Sequence, residues 1–328
     1  MIMSIQASTP QNIARAAQLL HEGQLVALPT ETVYGLGADA SNPAAVLKIF
    51  AAKDRPADHP LIVHLADAAQ LKDWASEIPP EAEALARAFW PGPLTLILKK
   101  QPHVPGEVTG GQNTVGIRIP DHPVALDLLR AFGGGVAAPS ANRFGRISPT
   151  TARHVDEELG DAVAMVLEGG ACDVGIESTI LDLSRGEPVV LRPGMIGVSA
   201  LAAVIGKRPR LRGEGEKAPR VSGALSAHYA PRTAMRMATR AEIEAAPADC
   251  AVLVRAGEYP DGRYAMCIDA PFDAQGYAHD LYANLRALDA ANARMILVEY
   301  LPDDDDWHAV HDRLGRAVVG SGAEDDET

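Results

Sequence analysis

Residues 25–40 read Leu25-Val26-Ala27-Leu28-Pro29-Thr30-Glu31-Thr32-Val33-Tyr34-Gly35-Leu36-Gly37-Ala38-Asp39-Ala40. The run from Leu25 to Leu28 is short and wholly apolar, the pattern of a strand buried in a sheet. Pro29 ends it, and hydroxyls, a carboxylate and two glycines follow at once. In open α/β sheets the loops at strand ends line the ligand crevice, and glycine lets a ligand approach the backbone. The stretch therefore predicts an α/β fold with a small-molecule site beside a central strand. A tight strand-to-helix turn would use the same residues, and this stretch alone leaves both open.

Working outward, Thr9-Pro10 starts a capped helix that Gly23 stops, and Asn42-Pro43 starts a second. A charged loop, K-D-R-P-A-D-H-P at 53–60, leads into a buried strand at 61–65 that carries His64. Two helical stretches cover about 66–90, and Pro91-Gly92-Pro93 breaks the chain before the strand L-T-L-I-L. Further strands are expected at 114–119, 164–167, 178–183 and 189–191, with helices at 123–132, 150–159 and 198–205. Residues 207–232, rich in Gly, Pro, Arg and Lys, read as a basic interdomain linker. Residues 1–206 would form the larger domain. Residues 233–328 would form a small α/β domain with strands at 251–255, 265–268 and 294–299, helices near 277–291 and 306–318, and a largely parallel sheet.

A chain of 328 residues exceeds what one core usually holds, which agrees with two domains. No apolar run approaches the ~20 residues that cross a bilayer. The first ten residues lack a basic region followed by an apolar run, so no secretory leader is expected. Cys172, Cys250 and Cys267 are far apart and fit neither a disulfide framework nor a zinc motif, so a reducing cytoplasm is expected. The net charge of −13 is uneven. Residues 1–206 carry −7, residues 207–240 carry +7, and residues 241–328 carry −13. A basic segment between acidic blocks points to a local anionic ligand rather than broad adhesion to nucleic acid.

Lys53 and Arg55, one residue apart in a loop fixed by Pro56 and Pro60 and carrying His59, make a compact cationic clamp suited to phosphate. His64 on its apolar strand reads more simply as a hydrogen-bonded core histidine. Arg118 stands within V-G-I-R-I-P and needs an anionic partner if buried. Ser140, Asn142 and Ser148 follow a buried strand, Ser178 and Thr179 open another, and Arg192 leaves the last at L-R-P-G. Hydroxyls and arginines at several strand ends are how one anionic ligand is surrounded. The chain has no G-x-x-x-x-G-K-[ST], G-x-S-x-G or H-E-x-x-H. Gly35-x-Gly37-x-x-Ala40 mimics a dinucleotide fingerprint, but six residues separate Leu28 from Gly35.

P-T-E-T-V-Y-G-L-G, K-x-R-P-x-x-x-P-L-I-V-H, W-P-G-P-L-T, V-G-I-R-I-P, A-P-S-A-N-x-x-G-x-x-S-P-T, E-S-T-I-L-D and L-R-P-G occur in that order across residues 29–194. Their set resembles the YrdC-like family of threonylcarbamoyl-AMP synthases, in the long form with an added C-terminal domain. H-Y-A-P at 228–231 is similar to the end of that family's interdomain segment. Upstream, the family's S-P-G-M-(K/R)-Y is replaced by S-G-A-L-S-A. The resemblance implies a twisted open mixed sheet with flanking helices and a smaller Rossmann-like C-terminal domain. It further implies condensation of L-threonine, bicarbonate and ATP, with Mg²⁺, to threonylcarbamoyl-AMP and pyrophosphate. Separate tRNA threonylcarbamoyl-transferase machinery would consume the product in the cytoplasm, with no membrane and no stable direct tRNA binding.

Carried over by that resemblance, threonine would contact Thr32, His64, Arg118, Ala138 and Ser178. ATP would contact Arg55, His59, Thr114, Ser140, Ser148, Arg192 and Tyr229. Lys53 and Arg55 would be the catalytic cations. The family often has Asn where His59 stands, and no metal ligand is singled out. The residues by themselves support this division, because an amino acid's carboxylate needs a cation and Arg118 offers a bidentate one. Phosphoryl chemistry needs positioning and charge neutralisation more than a covalent nucleophile. Two other readings are an RNA-binding module using the cationic concavity and a regulatory protein that has kept the fold without the activity. The acidic net charge and scarce aromatics count against the first. The presence of Lys53, Arg55, Arg118, Ser140, Ser178 and Arg192 counts against the second.

Overall fold

The computed structural model describes residues 5–213, 218–223, 225–255 and 262–322. Its first two helices begin where side chains satisfy the first free N–H groups. Thr9 Oγ1 accepts from Asn12 N–H, and Asn42 Oδ1 accepts from the N–H groups of Ala44 and Ala45, with proline at the first helical position in both. Asp54, left-handed at φ 52°, stops the second of these helices, Pro43–Lys53.

Contacts divide the chain into two compact units. The first takes in the described residues of 1–144, 149–173 and 177–224, and the second those of 145–148, 174–176 and 225–328. The expected linker is thus shared, its earlier residues grouping with the first unit and those from Leu225 with the second.

The first unit holds a mixed sheet of twelve strands. They are β1 (Ile5–Ala7), β2 (Val26–Leu28), β3 (Gly35–Asp39), β4 (Ile62–His64), β5 (Ala75–Glu77), β6 (Leu94–Lys100), β7 (Thr114–Arg118), β8 (Val136–Ala137), β9 (Met165–Glu168), β10 (Thr179–Asp182), β11 (Val189–Arg192) and β12 (Arg210–Leu211). Their order is β1-β9-β2-β3-β8-β4-β7-β6-β10-β11-β12, with β5 on β6. Side chains of the opening strand point alternately to two faces. Leu25 and Ala27 join a core with Leu36, Ile49 and Leu61. Val26 and Leu28 join one with Leu20, Leu128 and Phe132. A strand covered on both faces must be apolar throughout, as this one is.

Two expectations are corrected. Gly35–Asp39 is not a loop but β3, antiparallel to β2 with Val26 opposite Gly37 and Leu28 opposite Gly35. A Cβ on Gly37 would lie 3.0 Å from Leu28 Cδ2, Val136 Cγ1 and Val26 O, so its glycine serves sheet packing. Residues 66–90 are not helix throughout. The short helix Leu71–Trp74 runs into β5 before the helix Pro80–Phe89 begins.

The second unit is a sheet of four strands, β13 (Met235–Ala238), β14 (Ala251–Arg255), β15 (Met266–Ala270) and β16 (Ile296–Glu299), in the order β13-β16-β14-β15. Every pairing is parallel. β13 and the helix Arg240–Ala245 were not anticipated from the sequence. Gly175, at φ +80°, belongs to this unit, and a Cβ there would meet His279 O at 2.2 Å. Among the described residues no helix is long and apolar enough to cross a membrane.

Candidate active site

Several predicted residues gather at the ends of neighbouring strands in the first unit. His64 ends β4 and lies in register with Arg118, which ends β7. Arg118 is buried, and its Nη2 lies 2.7 Å from Oε2 of the equally buried Glu31. Its Nε donates to Gly92 O at 3.3 Å. Burial, and then the Arg118 charge, push the His64 imidazole down to about 3, so the ring is neutral at physiological pH. Among the described residues His64 Nδ1 has no hydrogen-bond partner.

The P-T-E-T turn fixes its own backbone. Thr30 Oγ1 donates to Val33 O at 2.7 Å and accepts from the N–H groups of Thr32 and Val33. The Thr30 hydroxyl has only one proton, so the Thr32 hydroxyl donates to Thr30 Oγ1 at 2.9 Å. Thr32 therefore keeps its lone pairs for another donor.

Ser178, fully buried, precedes β10 and meets Thr95 Oγ1 at 2.8 Å. Arg192, at the end of β11, donates to Ser178 O through Nε and Nη2, to Ser178 Oγ at 3.1 Å, and to Ser222 O at 3.0 Å. The turn at Gly92 and Pro93 joins these groups to Arg118, because Pro93 O accepts from Thr179 N–H and Gly92 O from Arg118. Ala138, just beyond β8, is buried, and its N–H donates to Ile62 O.

Lys53 ends its helix pointing inward. Its Nζ donates to the carbonyls of Ser140 and Asn142, pinning the A-P-S-A-N loop. Burial first, and the Arg55 charge second, hold its ammonium well below the usual lysine range. Even the neutral amine keeps two N–H donors for those two carbonyls. Arg55 is buried and donates to Pro60 O, 6.0 Å from the Phe144 ring centroid. His59 meets the same ring edge-on at 5.3 Å, its imidazole lowered by partial burial and by Arg55. Thr114 opens β7 and borders a cleft with Pro60, Ile62, Ile180 and Val221.

Part of the basic segment lies on this sheet. Val221 joins the apolar cluster of Ile62, Ile97 and Ile180. Arg220 pairs with Asp58 at 2.8 Å and donates to Gly110 O, and its N–H donates to Gln112 Oε1. Two predicted ATP residues group with the second unit instead. Ser148 is fully buried there. Tyr229, at φ 61°, is buried with its ring 5.6 Å from Tyr282 and under the Arg313 guanidinium.

Two participants escaped the sequence reading. Glu31 was visible as a carboxylate between threonines, but nothing paired it with an arginine 87 positions away. Thr95, a hydroxyl in the apolar run L-T-L-I-L, carried the only signal of a partner for Ser178. Among the described residues no group of three or more His, Cys, Asp or Glu side chains could hold a metal ion.

The family model described as "Telomere recombination", covering Sua5, YciO and YrdC proteins, matches residues 18–194. The chain belongs to the Sua5/YciO/YrdC family. A second model, described as "Threonylcarbamoyl-AMP synthase, C-terminal domain", matches residues 196–318, giving the long two-domain form. The threonylcarbamoyl-AMP synthase of Pyrococcus abyssi is 40% identical over 317 residues, 92% of each chain. That of Bacillus subtilis is 41% identical over 332 residues, covering 96% of this chain and 95% of its own. The crystal structure of P. abyssi Sua5 complexed with L-threonine superposes at a TM-score of 0.89 with 37% identity, covering 97% of this chain and 98% of that one. Like Sua5, this family member combines a large mixed sheet with a separate, smaller α/β sheet.

Proposed function

We propose that this chain is a threonylcarbamoyl-AMP synthase, which condenses L-threonine, bicarbonate and ATP to threonylcarbamoyl-AMP and pyrophosphate. The observation that carries the site assignment is the buried arginine at the end of β7, set beside a neutral histidine and near turns bearing small hydroxyls. Arg118 is the cation for threonine's carboxylate. Thr32 and Ser178 are short polar partners for its hydroxyl and amine, and neutral His64 adds an acceptor without adding charge.

The reaction is a nucleotidyl transfer. Threonine's amine and bicarbonate combine to a carbamate with loss of water. The carbamate oxygen bonds to ATP's α-phosphorus, and the α–β phosphoanhydride bond breaks as pyrophosphate leaves. Such a step needs charge neutralisation and alignment. Arg55 supplies charge from the loop beside Thr114. Lys53 contributes by fixing the loop that carries Ser140, and Arg192 by fixing Ser178. Mg²⁺ enters with the ATP phosphates as part of the substrate, since a phosphate-bound Mg²⁺ needs few protein ligands. The assignments of His59, Ser148 and Tyr229 to ATP rest on sequence resemblance. The activated group then passes to a separate transferase acting on tRNA in the cytoplasm.

Pyrophosphate release measured with threonine and bicarbonate omitted in turn tests the reading. Release that depends on both is expected. Release that ignores threonine would overturn it.

A further inference from the structure

Glu31 is a carboxylate with an unusual shortage of partners. Its side chain is 5% exposed, it meets one cation through Oε2, and its Oε1 accepts no hydrogen bond among the described residues. Buried carboxylates normally collect several donors, because desolvation costs more than one ion pair returns. The neighbouring threonines do not help. Thr30 and Thr32 bond to each other and to the turn's backbone, so the peptide is rigid, while among the described residues the Glu31 side chain is held by Arg118 alone.

We propose that Glu31 is the specificity-determining counter-ion for the substrate's α-ammonium group. This rests on Arg118 being the anchor for the substrate carboxylate. In the protein by itself Arg118 and Glu31 neutralise each other. A zwitterionic amino acid brings one charge of each sign, so it exchanges one buried ion pair for two and leaves the site neutral. A hydroxy acid or simple carboxylate would take Arg118 and strand Glu31 as an uncompensated buried anion. The pair thus selects amino acids by penalising the competitor rather than by adding attraction for threonine alone. The neutral state of His64 is part of the device, since a second cation there would satisfy Glu31 and erase the penalty.

The experiment compares L-threonine with its α-hydroxy analogue, in which a hydroxyl replaces the ammonium, by calorimetry on the full chain. Wild-type protein should bind threonine at least about tenfold more tightly than the analogue, the least that one stranded charge should cost. In E31Q, which keeps the shape and one acceptor oxygen but removes the charge, threonine should lose about tenfold or more while the analogue holds or gains, so the preference collapses. Equal weakening of both ligands would make Glu31 a mere brace for Arg118 and overturn the proposal. So would unchanged threonine affinity. If E31Q does not fold, the wild-type preference decides: equal affinities overturn the idea. A separate variant, R118Q, isolates the underlying site reading, which fails if neither ligand weakens.

Discussion

The two units solve opposite problems with the same elements. The first buries charge around its strand ends, with Glu31, Lys53, Arg55, Arg118 and Arg192 each less than a tenth exposed. Among the described residues of the second, Arg313 is the one Asp, Glu, Lys or Arg side chain so buried. It is answered at once by Asp312 at 2.9 Å on the same helix, His308–Ser321. Arg118 is answered from another strand end, by a carboxylate that has no further partner among the described residues. Burying charge costs folding free energy, so its concentration in one unit marks where ligand energy recovers that cost.

Arg118→Ala should break the contrast most severely. Losing the charge-assisted contact should cost about 2–4 kcal/mol of threonine affinity. Stranding Glu31 should lower stability by about 3–5 kcal/mol as well. Calorimetry and thermal unfolding check both, and an unchanged threonine affinity would remove Arg118 from the site. Arg313→Met is the matched control in the second unit. It should lower the unfolding temperature without altering threonine affinity, and a parallel loss of affinity would dissolve the contrast.

His64 sharpens the comparison through pH. Its ring sits at about 3 in the fold against 6.5 when unfolded, so folding favours the neutral form. That contribution is complete above pH 6.5 and is lost as pH falls from 6.5 toward 3. Thermal unfolding across that window should show a slope that His64→Gln flattens. An unaltered slope would mean that the ring is not held neutral.

Lys53→Met should cost about 1–3 kcal/mol by removing the Nζ donor from the Ser140 and Asn142 carbonyls. Turnover should fall further than threonine affinity, because the loop it pins carries Ser140, and stopped-flow pyrophosphate release can separate the two. The smallest effect belongs to Arg220→Ala. Its half-exposed pair with Asp58 should contribute under about 1 kcal/mol to stability. ATP affinity should nevertheless weaken if the basic segment covers the nucleotide, and ATP with threonine should slow tryptic cleavage after Arg220. Identical cleavage rates would leave the segment a connector.

Much of this was legible where one residue type has few explanations. An arginine inside V-G-I-R-I-P announces a buried anion, and Thr9-Pro10 and Asn42-Pro43 announce helix starts. What stayed hidden was direction and distance. Lys53 and Arg55 looked like one clamp, but the last helical turn and left-handed Asp54 send Lys53 inward to two carbonyls. Strands of three or four residues, such as Ala75–Glu77 and Met235–Ala238, are too short to show a period of two. Gly35 and Gly37 read as turn glycines, although their smallness serves the crowding of three strands.

The sheet's order has a consequence for how the chain is made. β9 lies between β1 and β2, pairing Ile5 with Val166 on one side and Val26 with Met165 on the other. At roughly 5–20 residues per second, a ribosome releases β9 on the order of ten seconds or more after those first strands. Throughout that interval the leading edge of the sheet has no partner for its backbone. Nascent chains stalled before residue 165 should therefore be caught by holding chaperones. Chains extended past the end of β9 should escape them, so that translation speed is matched to a seam closed from the middle of the message.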